Sequence, residues 1–306
     1  MKHVHNIKFK NCSKEELLPD FSSNFPYISS YMEFDKYIGS QVPWHWHREV
    51  ELFYVDHGIL EYNTPNGITS FPAGSGGIVN SNILHMTKPH SDFPDTIQRL
   101  HIFDTSLIGG WNGSLIEQKY ISPLINAPWV EIVGLFPENP NHLPLINKIR
   151  QSFELSEKDL LYEIYLRNKL SEIWCELIEL SKPLWHTTGI YSKENDKIKL
   201  MLIYIHEHYQ HKLSIREIAT AAYVSERECF RVFHDCLRTT PISYLNNYRL
   251  QNACHMLVET KDTITNISLS CGFGSSSYFG RIFLEYIGLT PAQYRRKWQN
   301  SAIFGQ

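Results

Sequence analysis

No run of apolar residues in this chain approaches the ~20 needed to cross a bilayer. The polar N-terminal stretch is no secretory leader either, so membrane and export readings fall away and a cytoplasmic protein is expected. Cysteine is sparse. The six thiols, Cys12, Cys175, Cys229, Cys236, Cys254 and Cys271, contain no CxxC pair and fall mostly at apolar positions of helical periodicity. Reduced, buried thiols are expected, and a redox sensor finds no support. Excess positive charge is missing overall, with 29 Lys+Arg against 32 Asp+Glu and a formal net of −3. That balance argues against nucleic acid, but it hides a division. Residues 191–306 hold 14 Lys+Arg and 10 Asp+Glu, net +4, whereas residues 1–190 hold 15 and 22, net −7. One half therefore has the sign that phosphate neutralisation requires. At 306 residues the chain has length for two domains, each with its own core.

The basic half states one pattern twice. Arg231, Phe233, Thr240, Pro241 and Tyr244 recur as Arg281, Phe283, Thr290, Pro291 and Tyr294, always 50 residues on. A constant offset marks a repeated supersecondary unit, and each copy reads as helix, tight turn, helix. In the first, Ser214 with Glu217 makes a capping box, and Ile215, Ile218, Ala219 and Ala222 share a face. Tyr223 and Val224 turn the chain, Ser225 with Glu228 opens the next helix, and Cys229, Val232, Phe233 and Cys236 form its apolar side. The second copy has Ile264, Ile267, Ser268 and Cys271 on the short helix, Gly272 in the turn and a second helix over 275–286. Ala219 and Ser268, small residues four positions before each turn, suit the close crossing of a helix-turn-helix. Thr240-Pro241 and Thr290-Pro291 supply an N-cap and a first helical residue. A helix over 241–258, with Ile242, Leu245, Tyr248, Leu250, Ala253 and Leu257 for the core, joins the copies. A leading helix over 196–209 carries Ile198, Met201, Leu202 and Ile205. The sum is an all-α domain of about seven helices over residues 196–300.

The run Tyr278-Phe279-Gly280-Arg281-Ile282-Phe283, followed by Gly288-Leu289-Thr290-Pro291-Ala292-Gln293-Tyr294-Arg295, resembles the signature of the AraC/XylS family of bacterial transcription regulators. The resemblance covers roughly the last hundred residues, with both subdomains at the family's spacing. It departs at Tyr223, where a glycine is common, and at Ser268, where alanine is usual. Two recognition helices on a rigid connector enter successive major grooves about one turn, ~34 Å, apart. The outward residues are Glu226, Arg227, Phe230 and Arg231 on the first and Ser276, Ser277, Gly280 and Arg281 on the second. Arg227, Arg231 and Arg281 can fork onto guanine, and Phe230 suits a thymine methyl. The resemblance points to the same positions. It implies double-stranded DNA as partner, a small-molecule effector, a homodimer, and RNA polymerase as a further partner if the regulator activates.

The acidic half has short strands between residues 41 and 104, over 49–56, 59–62, 68–71, 77–80 and 97–104, with Pro65-Asn66-Gly67 as a hairpin turn. Such spacing means a β-sandwich or small barrel. Within it, Gly39-x5-His45-x-His47-x3-Glu51-x6-Gly58 resembles the first cupin motif, and Pro72-x-Gly74 with His85 resembles a degraded second one. Residues 45, 47 and 51 share parity, so on one strand all three point to one side. Two readings stay open here. As a sensor pocket, the candidates are Trp44, His45, His47, Glu51, Tyr54, His85 and His101, an aromatic lining with few polar groups that suits a sugar. No cofactor is then expected; if a metal is present, its ligands are His45, His47, Glu51 and His85, a set fit for Fe, Mn, Ni or Zn. From residue 143 to 180 the period turns helical, and Tyr162, Leu166, Leu170, Ile173, Leu177 and Leu180 make a stripe that pairs two protomers or packs on its own barrel.

The expected fold is thus two-domain α+β. Residues 1–182 form a cupin-like β-barrel with flanking helices for ligand sensing and dimerisation, 183–195 a linker, and 196–300 the double helix-turn-helix domain. The expected function is a sequence-specific DNA-binding transcription regulator, not an enzyme, modulated by a small molecule in the barrel. The alternative is a metal-dependent cupin enzyme with a helical accessory domain.

Overall fold

The computed structural model describes residues 2–303 except 5, 10–14, 19, 20, 23, 38, 112, 128, 186–193 and 238. It divides into two compact units, Met1–Lys10 with Glu15–Ser192 in one and Lys193–Gln306 in the other. No described helix is long and apolar enough to cross a membrane.

Strands build the first unit. They are β1 (Lys2–His3), β2 (Lys8–Phe9), β3 (Glu16–Leu17), β4 (Tyr27–Glu33), β5 (Val42–His45) and β6 (Val50–His57). Then come β7 (Ile59–Thr64), β8 (Gly67–Pro72), β9 (Gly76–Val79), β10 (His85–Pro89), β11 (Ile97–Phe103) and β12 (Ile132–Leu135). One sheet runs β1-β4-β11-β6-β9-β12, antiparallel except where β1 meets β4, and the other runs β5-β10-β7-β8. A separate ribbon pairs β2 with β3. The expected hairpin closes with Thr64 opposite Gly67. Alternation on β6 explains how one sheet serves two cores. Phe53 and Val55 face Leu60, Tyr62 and Phe71 of the other sheet, whereas Val50, Leu52 and Tyr54 face helices.

Those helices are α1 (Ser106–Gly109), α2 (Ser122–Ile125), α3 (Leu143–Ser152) and α4 (Tyr162–Trp185). The α4 stripe packs on its own unit. Tyr162, Leu166, Leu170, Ile173 and Leu177 are buried in the helix-facing core with Leu180 against it, so they are not a free seam. Burial of such side chains stabilises by about 1.5–3 kcal/mol each. Of the stretch expected as a linker, residues 183–185 finish α4; residues 186–193 lie outside the described residues.

His101 on β11 shares the helix-facing side. Its Nδ1 meets the Tyr27 hydroxyl at 2.7 Å, its Nε2 meets Ser152 Oγ at 2.8 Å, and its ring stacks on Phe153. Burial pushes the imidazole down to about 3 from an ordinary 6.5. A histidine kept neutral by the fold takes up its proton only in the unfolded chain. Its contribution is full above pH 6.5 and is lost as pH falls from there towards 3. At pH 5 the loss is about 2 kcal/mol, and it should vanish in His101→Gln when unfolding free energies of the two chains are compared at pH 7.5 and 5. Parallel pH profiles would mean that the ring is not held neutral.

The second unit has seven helices among the described residues: α5 (Glu194–His208), α6 (Ile215–Ala221), α7 (Glu226–Leu237), α8 (Pro241–Glu259), α9 (Ile264–Ser270), α10 (Ser276–Ile287) and α11 (Pro291–Ile303). The repeat is visible atom by atom. Phe233 meets Tyr244 edge-on with centroids 5.8 Å apart, and Phe283 meets Tyr294 likewise at 5.5 Å. Val224 N–H donates to Ala219 O at 3.1 Å, as Phe273 N–H does to Ser268 O at 3.0 Å. Ser225 and Ser275 accept from the backbone N–H three residues on, caps worth about 1 kcal/mol each. The copies differ by one residue. The offset is 49 up to the turn and 50 beyond it, because Gly274, at φ +70°, is inserted before the second cap.

The thiols are mostly inert. Cys229, Cys236, Cys254 and Cys271 are buried, and burial pushes Cys254 and Cys271 up to about 12. Cys175, contrary to expectation, is exposed on α4, and Cys12 lies outside the described residues.

Candidate functional site

Two arrangements stand out, one in each unit. In the first, His45 ends β5 and His85 opens β10, and the two are register partners across the ladder with ring centroids 4.1 Å apart. His47 follows the bridge residue Trp46, and Glu51 is the second residue of β6, in the other sheet. The expectation that 45, 47 and 51 lie along one strand is therefore corrected. The chain crosses between sheets after His45, and that crossing, rather than strand parity, brings the three together. Ligand atoms of His45, His47, Glu51 and His85 all lie within 4.8 Å of one another, and all four residues are buried.

Each imidazole is oriented by the backbone. His45 Nδ1 contacts Pro43 O at 2.8 Å, His47 Nδ1 contacts Glu49 O at 2.9 Å, and His85 Nδ1 contacts Ile83 O at 2.9 Å. A carbonyl only accepts, so each Nδ1 donates and each Nε2 is left for the centre. The Nε2 atoms of His47 and His85 stand 3.5 and 3.6 Å from Glu51 Oε2, too far for good hydrogen bonds, and both are buried without a hydrogen-bond partner. Glu51 Oε1 accepts from the Tyr62 hydroxyl at 2.5 Å, and Gln98 Nε2 donates to that hydroxyl in turn. Burial opposes charge on both His47 and Glu51, but their mutual attraction wins. His47 rises to about 9, and Glu51 is held well below the usual carboxylate range by His47 and His85. Burial, then the charges of His85 and His47, keep His45 well below its ordinary value. A second proton on His47 and a cation bound by the cluster compete for one lone pair. The donor set, three imidazole nitrogens on rings each fixed by a backbone carbonyl and a carboxylate fixed by the Tyr62 hydroxyl, fits a divalent first-row metal.

The cluster forms the polar end of a cavity of about 320 Å³. His45, Glu51 and His85 line it, and its walls are mainly apolar, from Ile28, Met32, Val42, Leu100 and Ile102, with Ser30, Thr87 and Gln98 among the polar groups between them. Trp44 is buried on β5 away from it. Tyr54 and His101 face the helices on the other side of the sheet, which corrects their expected place in the pocket. Strand alternation excludes both, since Tyr54 has the opposite parity to Glu51, and His101 to Leu100 and Ile102. The same alternation points Gln98 inward, a residue the sequence reading missed. Glu16 was missed as well. Burial raises its carboxyl to about 7, with the His47 charge pulling the other way, and no pattern in the sequence singles it out.

In the second unit, α7 and α10 are the second helices of the two repeats. Glu226, Arg227, Phe230 and Arg231 on α7 are exposed, as are Ser276, Ser277 and Arg281 on α10, while Gly280 leaves open space where a side chain would stand. Arg231 lies along its own helix, 3.7 Å from Glu228 and 3.4 Å from Asp235. The Arg281 guanidinium sits over the Tyr278 ring at 5.6 Å. Two arginines unmarked by the repeat brace the frame. Arg249 on α8 donates to Tyr209 O and His211 O just past the end of α5, and Arg295 on α11 donates to Leu257 O and Asp262 O at the end of α8. Each neutralises the carbonyl end of the helix preceding its repeat.

Residues 218–297 match the family described as a helix-turn-helix domain. Over 262 residues the chain is 28% identical to YdeC, an uncharacterized HTH-type transcriptional regulator of Bacillus subtilis (strain 168), covering 85% of this chain and 88% of that one. It is 24% identical over 271 residues to the melibiose operon regulatory protein of Escherichia coli (strain K12), covering 82% and 83%. Among solved structures, an AraC-type transcriptional regulator domain from Chromobacterium violaceum is 32% identical, with a TM-score of 0.30 over 34% of this chain and 90% of that one.

Proposed function

We propose that the chain, whose residues 218–297 match a helix-turn-helix domain and whose relatives are named transcription regulators, is an AraC-type DNA-binding transcription regulator and not an enzyme, and that its first unit is a cupin-like sensor whose occupancy sets promoter binding. The observation that carries this reading is the buried cluster of His45, His47, Glu51 and His85 at the end of a mainly apolar cavity. Water-accessible DNA reading does not require such a group, and four converging buried ligands are costly to keep without an occupant. His45, His47, Glu51 and His85 would hold a divalent metal, which would supply a Lewis-acid site for a donor atom of an effector. The mainly apolar walls take an apolar body better than a sugar, whose aromatic platform is not in the cavity.

The residues Glu226, Arg227, Phe230, Arg231, Ser276, Ser277, Gly280 and Arg281 contact DNA, base edges and phosphates together. Two copies pair through exposed apolar residues just before and at the start of α4, among them Leu160, Ile164 and Tyr165. RNA polymerase is a further partner where the bound promoter is activated. Occupancy matters to DNA only through differential affinity for two arrangements of the whole protein.

Selection of bound sequences from a random DNA pool by the full chain tests the reader. A two-part motif with halves about one helical turn, ~10.5 bp, apart is expected. The selected DNA is then titrated with protein stripped by a chelator and with protein resupplied with zinc, nickel or manganese. Operator affinity that never changes with occupancy sinks the sensor reading and leaves the reader standing.

A further inference from the structure

The metal reading leaves one buried carboxylate unused. Glu16 lies on β3, a strand of only two residues, and its side chain is turned inward while its neighbour Leu17 is turned out. Glu16 is 6% exposed and Leu17 46%. That is the reverse of what apolar burial alone dictates, so something inside must favour the carboxylate. Backbone pairing sets its position. Glu16 N–H donates to Trp46 O at 2.8 Å, which seats the residue beside the segment carrying His45 and His47.

Glu16 Oε2 then stands 3.7 Å from His45 Nε2. Because His45 Nδ1 is committed to the Pro43 carbonyl, this Nε2 presents a lone pair, and an ionised Glu16 carboxylate meets it with lone pairs of its own out of water. A cation shared between them removes the conflict. The Nε2 atoms of His47 and His85, buried and without hydrogen-bond partners, belong with His45 and Glu51 to the four-residue centre that Glu16 adjoins through His45. Charge balance points the same way. Three neutral imidazoles and one carboxylate leave a buried divalent ion with a net positive charge, and a second carboxylate cancels it.

We propose that Glu16 is a further ligand of the ion held by His45, His47, Glu51 and His85, which makes the β2–β3 ribbon a structural part of the metal centre. The assignment rests on the metal reading above, and its test separates the two. Full-length protein stripped by a chelator is titrated with Co²⁺ and with Zn²⁺, followed by calorimetry and by the visible absorption of bound Co²⁺. Wild type should take one ion per chain. Glu16→Gln should keep that stoichiometry with affinity about 10- to 100-fold lower, and its Co²⁺ bands should shift as a ligand is lost. Glu16→Asp, which keeps the charge but moves the oxygens, should fall between. Leu17→Ala, on the same ribbon, should match wild type.

Wild-type affinity and spectrum in Glu16→Gln, with binding abolished in His47→Ala, would overturn the role of Glu16 and spare the metal. Weaker binding with an unchanged Co²⁺ spectrum would also overturn it, since Glu16 would then act only through His45. No binding by the wild type would remove the metal reading, and this assignment with it.

Discussion

A chain in which Arg231 and Arg281 are both alanine is expected to lose about 2–6 kcal/mol of operator binding free energy, about 1–3 from each arginine. The singles should act on different halves of the site, because the two residues occupy the same place in two copies of one unit. They are not held alike. Arg231 must leave Glu228 and Asp235 to reach a base, but exposed pairs of this kind are worth only about 0–1 kcal/mol, so the exchange takes away part of its gain and not all. Arg281 is steadied on the Tyr278 ring, a contact that does not occupy its donors. The second half-site should therefore suffer more. Binding to the selected DNA at one fixed salt concentration, with each half mutated in turn, reads the effect. If both single variants bind like wild type, the recognition helices dock in some other way.

The second large effect is in the second turn. Gly272 has φ +77°, and a Cβ there would meet Tyr209 O at 2.4 Å and Arg249 Nε at 3.0 Å. Gly272→Ala combines the left-handed penalty of about 1–2 kcal/mol with a backbone clash of about 1–3 kcal/mol. The second unit should lose about 2–5 kcal/mol of stability, and binding to the second half-site should weaken with it. Tyr223 makes the informative contrast. It occupies the equivalent turn at φ +56°, but its side chain is 93% exposed and meets no such wall. Tyr223→Gly should consequently gain about 1 kcal/mol. Denaturant unfolding of both variants in the full chain decides the matter; an unchanged midpoint for Gly272→Ala would refute the close approach to Tyr209.

The helical half was legible because its information is local. Caps such as Ser214 with Glu217, the Thr-Pro pairs, and the Phe-Tyr contacts act between neighbours in sequence, and duplication printed each signal twice. The bracing roles of Arg249, and of Arg295 at the end of the signature run, escaped notice because their partners are carbonyls of distant helix ends and their spacing, 46 residues, breaks the offset. In the barrel, sequence spacing assembled His45, His47, Glu51 and His85, but for a reason that differs from strand parity. Tyr54 and His101 were drawn into the pocket by residue type, against an alternation that places them outside. Glu16 lies in a stretch without periodicity, and only a cross-chain pairing to Trp46 brings it to the centre.

The grip of Arg249 on Tyr209 and His211 also bears on where the DNA reader begins as a physical object. The helix-turn-helix family match starts at residue 218, inside α6. Yet Lys197 on α5 pairs with Glu228 on the first recognition helix, Ile198, Met201, Leu202 and Ile205 are wholly buried, and Arg249 closes the carbonyl end just beyond α5. Trimming the protein to the matched stretch would leave a charged guanidinium and an apolar wall facing water. The smallest piece able to hold its own shape starts near Glu194, a full helix earlier than the shared pattern.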